Sequence, residues 1–238
     1  MSNEVEIHKE VLIDAGTARL EGELHVPAGA SGVVLFAHGS GSSRHSPRNG
    51  FVARVIRESG VGTLLFDLLT AEEEAVDIYT REFRFNIGLL TTRLTAAAEW
   101  VMAQADTREL KIGFFGASTG GAAALAAAAE LGDKASAVVS RGGRPDLAGD
   151  ALPLVTAPVL LIVGGYDGPV IELNEQAFDE LECKKELKIV PGATHLFEEP
   201  GTLEQVADLT AEWFAKYLST DIGPIGMNKE VQYAGNQK

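Results

Sequence analysis

The chain has 238 residues, 45% of them hydrophobic, and a formal net charge of -14 at pH 7, which suits one large α/β domain and argues against nucleic acid as a partner. It contains one cysteine, Cys183, so an internal disulfide is excluded and a reducing, cytoplasmic location is expected. No run approaches the ~18 uninterrupted apolar residues of a membrane span, and residues 1–10 carry charges rather than the apolar core of a secretory signal.

The first half of the chain is predicted to form a hairpin followed by alternating strands and helices. Two alternating apolar and polar runs, with the turn Asp14–Gly16 between them, predict an antiparallel hairpin at a sheet edge. Ser46 followed by Pro47 is the N-cap pattern of a helix. The predicted elements are the hairpin strands Val5–Ile13 and Arg19–Val26, the buried strands Val33–Ala37 and Gly62–Phe66, and helices from Ser46 and over Phe83–Val101.

The second half continues the alternation. Its predicted elements are the strands Lys111–Phe115, Ala135–Val139, Pro158–Val163 and Glu186–Val190, and the helices Ala122–Ala129, Val170–Leu181 and Leu203–Leu218. Strands that alternate with helices in this way predict a mostly parallel sheet covered on both faces. We therefore expect a single α/β domain over residues 1–218 and a C-terminal extension outside the core over residues 219–238.

The pentapeptide Gly-Ala-Ser-Thr-Gly at Gly116–Gly120 lies between a predicted strand and an alanine-rich helix. A serine at a tight strand-to-helix turn has its oxygen exposed, and the two glycines let neighbouring backbones approach the turn. The five-residue pattern alone also arises by chance, so the strand–turn–helix setting is what gives it weight. It predicts Ser118 as a nucleophile.

Two further residues with acid–base side chains follow predicted strand ends, which is where open α/β sheets place their active sites. Asp167 follows one strand and His195 follows the last, in the chain order Ser118, Asp167, His195. A serine hydroxyl needs an imidazole to take its proton, and the imidazole needs a carboxylate to orient it. The alternatives are that Asp167 only caps a helix and that His195 is an ordinary loop histidine, with Asp146 and Glu172 as competing carboxylates.

A glycine-rich loop after the Val33–Ala37 strand predicts the site of the developing oxyanion. Such a charge needs two aimed N–H donors. One is expected from Thr119 and the other from Ser40, with Gly41 as the alternative. We expect His38, just before this turn, to be a structural hydrogen-bonding residue rather than a base.

Four arginines reverse the sign of this acidic chain near the predicted site. Arginine binds carboxylate or phosphate through two parallel hydrogen bonds, so such residues could hold an anionic group of the substrate. We favour substrate binding for Arg44 and Arg141, and a loop-bracing role for Arg48 and Arg144. The alternative for all four is pairing with nearby carboxylates.

The acidic segment Thr70–Thr80 follows a predicted strand whose carboxyl end should face the same side as Ser118. It is predicted to form part of a cap over the site or to lie close to it. The alternative is a solvated acidic loop with no role.

These motifs resemble those of the α/β-hydrolase superfamily, and most closely its dienelactone-hydrolase-like branch. The similarity also extends to bacterial members fused to or encoded beside phosphoribosyltransferases. It rests on Ala37–Asn49, Phe115–Gly121, Ser140–Asp146, Gly164–Asp167 and His195–Pro200. It implies the α/β-hydrolase fold, with an antiparallel N-terminal hairpin on a mostly parallel sheet, and neither a metal nor an organic cofactor. One departure is that dienelactone hydrolases proper carry cysteine at the elbow, where this chain has Ser118.

The motifs together predict a serine hydrolase that cleaves a carboxylic ester, lactone or thioester of a small molecule through an acyl-enzyme. Esterase or lactonase activity ranks first, thioesterase or acyltransferase second and peptidase last. The alternative is a non-catalytic binding or sensor protein on the same fold, which would usually have lost a triad member. The sequence leaves the oligomeric state open.

Overall fold

A computed structural model describes residues 5–219, so the extension predicted from residue 219 lies almost entirely outside the described residues. The strands are β1 (Ile7–Ala15), β2 (Ala18–Val26), β3 (Gly32–Ala37), β4 (Gly62–Phe66), β5 (Lys111–Ala117), β6 (Ala135–Arg141), β7 (Val159–Gly164) and β8 (Lys185–Val190). The α-helices are α1 (Pro47–Glu58), α2 (Ala71–Thr80), α3 (Ile87–Ala103), α4 (Thr119–Leu131), α5 (Gly168–Glu180) and α6 (Thr202–Leu218). Two 3₁₀ segments, Gly132–Lys134 and Pro145–Leu154, complete the regular structure.

The eight strands form one sheet in the order β1-β2-β4-β3-β5-β6-β7-β8. The β1–β2 and β2–β4 pairs are antiparallel and the other pairs are parallel, as predicted. The predicted hairpin turn was one residue too early. Ala15 pairs with Ala18, so the turn is Gly16-Thr17, and Gly16 has the positive φ of 68° that a two-residue hairpin turn requires.

The central strands bury both faces because alternate residues point to opposite sides of the sheet. Leu35 and Phe114 lie in a cluster with α3 and α4, while their neighbours Phe36 and Phe115 lie in a second cluster with α1 and α6. The helices therefore cover both faces, as expected for the α/β class. Among residues 5–219, no helix is both long and apolar enough to cross a membrane.

The acidic segment after β4 is a helix rather than a loop. Thr70 is the N-cap of α2: its side chain accepts a hydrogen bond from the backbone N–H of Glu73, whose carboxylate accepts one from the Thr70 N–H. Arg93 of α3 donates to both carboxylate oxygens of Glu73 at 2.5 Å. The segment is thus a helix tied to the body of the fold, which contradicts the alternative of a solvated acidic loop, while its role as a cap over the site remains a prediction.

Candidate active site

Ser118 occupies a strained turn between β5 and α4. Its backbone has φ 51° and ψ -122°, a conformation that residues other than glycine rarely adopt. A Cβ atom on Gly116 would lie 2.3 Å from the carbonyl oxygen of Gly120, and one on Gly120 would lie 2.1 Å from that of Ala37. The glycines on either side of the serine therefore let β5 turn sharply into α4 against β3.

Asp167 and His195 are joined by a hydrogen bond of 2.6 Å between His195 Nδ1 and Asp167 Oδ2. The loops that carry them are held together by their backbones, since the Tyr166 N–H donates to the carbonyl oxygen of Ala193 at 2.9 Å. A Cβ atom on Gly164 would lie 2.5 Å from that same oxygen, so only glycine allows the two strand ends to approach so closely.

The two competing carboxylates have other surroundings. Both Asp146 oxygens accept hydrogen bonds from Arg144, at 2.7 and 2.8 Å, and Glu172 lies exposed on α5. The geometry thus gives Asp167, and neither competitor, a contact with His195.

The structure brings His195 to the strand end that carries Ser118. The Ser118 N–H donates to the carbonyl oxygen of Arg141 at 3.2 Å, and a Cβ atom on the next residue, Gly142, would lie 3.6 Å from His195 Cε1. Within residues 5–219, Ser118 Oγ makes no hydrogen bond, so the serine–imidazole contact is not formed in this conformation. Such contacts are often long before substrate binds.

Ser40 and Thr119, the two expected oxyanion donors, lie side by side, with their hydroxyl oxygens 3.0 Å apart. Ser40 belongs to a turn closed by the Ser42 N–H and the Gly39 carbonyl, in which Gly41 has φ 68°. No acceptor for the backbone N–H of Ser40 or Thr119 is found in the part of the chain that the structure describes. Thr119 is also the first residue of α4, whose positive dipole end faces an incoming anion.

His38 is buried and its imidazole is held by two backbone groups. Its Nδ1 donates to the carbonyl oxygen of Gly39 at 3.1 Å, and its Nε2 accepts from the Leu68 N–H at 3.1 Å. Burial lowers the pKa of His38, in keeping with a neutral ring. Its position fits the expected structural role, because both ring nitrogens hold the loop that carries Ser40.

Arg44 does not have the free guanidinium that a substrate-binding residue needs. Its backbone N–H and its Nη1 both donate to Asp67, the first at 2.7 Å, and its Nη2 donates to Glu21 at 2.8 Å. Two carboxylates therefore neutralise it and brace the loop after β3 against β2 and β4. These contacts favour the bracing alternative for Arg44 over the substrate binding that was predicted for it.

The other three arginines differ in their partners. Arg144 pairs with Asp146, and Arg48 donates to Glu198 at 3.0 Å, so each has a carboxylate partner. Arg141 is 7% exposed, and its Nε and Nη1 are buried with no hydrogen-bond partner among the described residues. Arg141 is thus the unpaired cation of the four.

A cavity of about 940 Å³ lies behind the loop after β3, between that loop, the N-terminal hairpin and the first turn of α2. None of Ser118, Asp167 and His195 lines this cavity. We place the candidate site at those three residues rather than in the cavity because bond-breaking chemistry needs their functional groups, and volume alone supplies none. The first turn of α2 and the loop after β3 both line this cavity.

A group of side chains that could hold a metal ion lies elsewhere, on the N-terminal hairpin. His8, Glu23 and His25 have ligand atoms within 4.8 Å of one another, and the two imidazoles stack with ring centroids 4.5 Å apart. His25 pairs with Thr63 near the amino end of β4, whereas Ser118 follows the carboxyl end of β5, so the group lies at the opposite ends of the strands from Ser118. No sequence motif indicates this cross-strand group, because it forms through the pairing of His8 with His25 across the hairpin.

Two residues that support the site were missed by sequence reasoning. Buried Asn174 of α5 donates from Nδ2 to the carbonyl oxygen of Gly143 at 3.0 Å, which holds the loop after β6. The backbone carbonyl oxygen of Arg84 accepts a hydrogen bond from Ser40 Oγ at 3.4 Å. The Arg84 side chain pairs with the buried Asp77. The contacts of Asn174 with Gly143 and of Ser40 with Arg84 had no sequence signal, because each joins segments distant in the chain.

Comparison with known proteins gives a family. Residues 50–219 match the model of the dienelactone hydrolase family. A crystal structure of dienelactone hydrolase from Anabaena variabilis is 58% identical, superposes with a TM-score of 0.88, and covers 90% of this chain and 99% of its own. Est1E from Butyrivibrio proteoclasticus, solved with ferulic acid bound, has a TM-score of 0.74 at 19% identity, covers 87% of this chain and 98% of its own, and shows the fold alone.

Two curated relatives come from Mycobacterium tuberculosis, strains CDC 1551 and H37Rv. Each is 55% identical over 218 residues, which are 92% of this chain but 48% of the relative. Both carry the provisional name phosphoribosyl transferase. The chain therefore spans about half the length of the curated relatives it matches.

Proposed function

The chain belongs to the dienelactone hydrolase family, and from that membership and the site geometry we propose that it is a serine hydrolase acting on a carboxylic ester, lactone or thioester. The observation that carries the proposal is the 2.6 Å hydrogen bond between His195 Nδ1 and Asp167 Oδ2, at the strand edge where Ser118 occupies its strained turn. A carboxylate on Nδ1 leaves Nε2 to accept the proton of a hydroxyl nucleophile.

The first half of the reaction forms an acyl-enzyme. Ser118 Oγ attacks the substrate carbonyl carbon while His195 Nε2 takes the hydroxyl proton. The carbonyl oxygen becomes negative and accepts hydrogen bonds from the Thr119 and Ser40 N–H groups. The bond from the carbonyl carbon to the leaving oxygen or sulfur then breaks, and His195 gives the proton to that atom.

The second half uses water. A water molecule attacks the acyl carbon as His195 Nε2 takes one of its protons, the bond to Ser118 Oγ breaks, and the proton passes to that oxygen. The carboxylic acid leaves and the enzyme is restored. One water is consumed for each ester, lactone or thioester bond cleaved.

The surroundings of the triad suit a substrate with an apolar part. Tyr166, next to Asp167, and Leu196, next to His195, are 76% and 40% exposed at this edge. Exposed apolar side chains beside polar reacting groups are typical of small-molecule sites. They favour an ester or lactone with an apolar part beside the scissile bond.

The transferase name of the Mycobacterium relatives is not carried over to this chain. The half of those proteins that this chain matches is the half related to dienelactone hydrolases. We propose hydrolase chemistry for that half, in a cytoplasmic setting that the single cysteine favours.

The test is covalent labelling with a fluorophosphonate, which reacts only with an activated serine. Wild-type protein should be labelled, Ser118→Ala should not, and Ser42→Ala, a serine on the loop after β3, should be labelled like wild type. Ester turnover should fall in parallel by about 10³-fold or more in Ser118→Ala. Wild type that resists labelling and cleaves no ester would instead support a non-catalytic binding protein.

A further inference from the structure

The guanidinium of Arg141 is a buried charge that pairs with no carboxylate in the part of the chain that the structure describes. Arg141 is the last residue of strand β6. Its guanidinium lies over the Phe115 ring, with Cζ 5.9 Å from the ring centroid. Its Nε and Nη1 have no hydrogen-bond partner among residues 5–219. Burial, with a contribution from the charge of Arg48, lowers the pKa of Arg141 to about 10, so the side chain remains protonated at neutral pH.

An arrangement of this kind is costly in a folded protein. Buried charges are normally paired, and one without a partner destabilises the fold. A buried arginine without a paired carboxylate therefore needs an explanation other than the stability of the fold. A ligand that brings the missing negative charge is one such reason, because it completes the pair only when bound.

Arg141 is next to the proposed nucleophile. In the β5–β6 register Ala117 is opposite Arg141, and the Ser118 N–H donates to the Arg141 carbonyl oxygen at 3.2 Å. The following residue, Gly142, lies against the ring of His195. These contacts place the backbone of Arg141 at the strand end that carries the proposed nucleophile.

Arg48 supplies a second positive charge on the same side. It lies in the first turn of α1, close enough for its charge to lower the pKa of Arg141. Glu198 accepts a hydrogen bond from Arg48 Nη1 at 3.0 Å, yet Arg48 Nε is buried and has no hydrogen-bond partner within the described range. The pair therefore keeps an excess positive charge after its one carboxylate contact is counted.

We propose that Arg141, with Arg48 beside it, binds an oxyanionic group of the substrate, a carboxylate or a phosphate, next to the bond that Ser118 cleaves. This assignment rests on the proposed hydrolase function. It replaces Arg44 by Arg48 in the pair of arginines predicted from the sequence, since Arg44 is neutralised by Asp67 and Glu21. The planar guanidinium offers two parallel N–H groups, which match two oxygens of either anion.

The first test compares the 4-nitrophenyl esters of two four-carbon acids, butyric acid and succinic acid. The succinate monoester (hemisuccinate) differs from the butyrate ester by a terminal carboxylate. Wild type should prefer hemisuccinate in kcat/KM by about tenfold or more, a ratio that corresponds to about 1.4 kcal/mol. Arg141→Met should abolish this preference through KM. Arg144→Gln, on the same loop but paired with Asp146, should retain it. An unchanged preference in Arg141→Met would overturn the proposal.

The second test needs no turnover. Calorimetric titration of Ser118→Ala with succinate and with inorganic phosphate should show binding of at least one, which identifies the anion class. The double variant Ser118→Ala, Arg141→Met should bind it at least tenfold more weakly. If wild type cleaves no ester but this binding is seen, the hydrolase proposal fails while the anion site stands. Absence of binding by both anions would overturn the site.

Thermal stability distinguishes a ligand-binding arginine from a structural one. Arg141→Met keeps an unbranched chain of similar length and removes the unpaired charge, so its Tm without ligand should equal or exceed that of wild type. A fall in Tm, or failure to fold, would show a structural role and contradict the proposal. Arg141→Lys, which keeps the charge without the two-point geometry, should retain part of the hemisuccinate preference.

Discussion

Gly120 passes so close to Ala37 that a Cβ atom on the glycine would lie 2.1 Å from the alanine carbonyl oxygen. The contact joins the start of α4, which includes Thr119, to the end of β3, from which the loop with Ser40 continues. The neighbouring atoms belong to the backbone at the end of β3, which cannot move aside as a flexible side chain can. A larger residue at position 120 would therefore clash with the sheet.

Gly120→Ala should therefore lower both stability and activity. Overpacking of this kind costs about 1–3 kcal/mol or more, and thermal unfolding should show a Tm several degrees lower, with turnover nearly lost. Gly50→Ala is the matched control, because a Cβ atom there meets nothing within 4 Å and the residue is in helix α1. If both variants behaved like wild type, the close approach at the elbow would be refuted.

Asp167→Asn should reduce kcat by about 10³-fold or more while leaving KM nearly unchanged. An amide can hold the ring of His195 but favours the tautomer with the proton on the wrong nitrogen. Steady-state kinetics on an activated ester measure the effect. Asp146→Asn, which breaks only a contact with Arg144, should stay within a few-fold of wild type, and the reverse order would reassign the acid.

Arg44→Met should destabilise the protein without changing its preference between neutral and anionic esters. It leaves Asp67, whose side chain is 21% exposed, without its cation. The loss should be about 1–3 kcal/mol, which is a Tm decrease of several degrees. A changed charge preference with unaltered Tm would restore Arg44 as a substrate-binding residue.

Glu73→Gln should destabilise the fold at neutral pH, whereas the double change Glu72→Gln, Glu74→Gln should not. The hydrogen bonds from Arg93 are the main reason that the pKa of Glu73 is held below its usual range. A carboxyl with a lowered pKa in the folded state stabilises above its unfolded pKa, about 4.3, and this contribution is lost as pH falls through the folded value. Unfolding in urea at pH 7 and pH 3 should therefore show a difference at pH 7 that shrinks at pH 3.

Buried His38 should make the protein less stable as pH falls from about 7 to about 5. Burial lowers its pKa, so in this range the unfolded chain, with an ordinary pKa of about 6.5, binds a proton that the folded protein does not. The slope of unfolding free energy against pH should be smaller in His38→Gln. Equal slopes in the two proteins would show that His38 titrates alike in both states.

The order of most strands and helices could be predicted from the sequence, since it depends on local patterns. Ser118, Asp167 and His195 each follow a strand end in the structure, and their catalytic roles remain predictions. The α2 helix was predicted as an acidic segment of undetermined form, although Thr70 and Glu73 show the capping-box pattern. That pattern is present in the sequence and would have predicted the start of a helix at this point.

Pairings between distant elements could not be predicted in the same way. Asp67 meets Arg44 because β3 and β4 are neighbours in the sheet, an order that chain spacing leaves open. The hairpin histidines His8 and His25 stack only because their strands pair in one register. Contacts of this kind depend on sheet topology, which emerges from the packing of the whole chain.

The backbone of Ser118 has a consequence for evolution in the laboratory. A residue other than glycine in such a conformation costs about 1–3 kcal/mol, and glycine would relieve that strain. A library of this protein selected for heat resistance alone, with no demand for turnover, should therefore accumulate glycine at position 118. The same library kept under a demand for turnover should retain serine there, so sequencing the two populations would separate what heat selects from what catalysis requires.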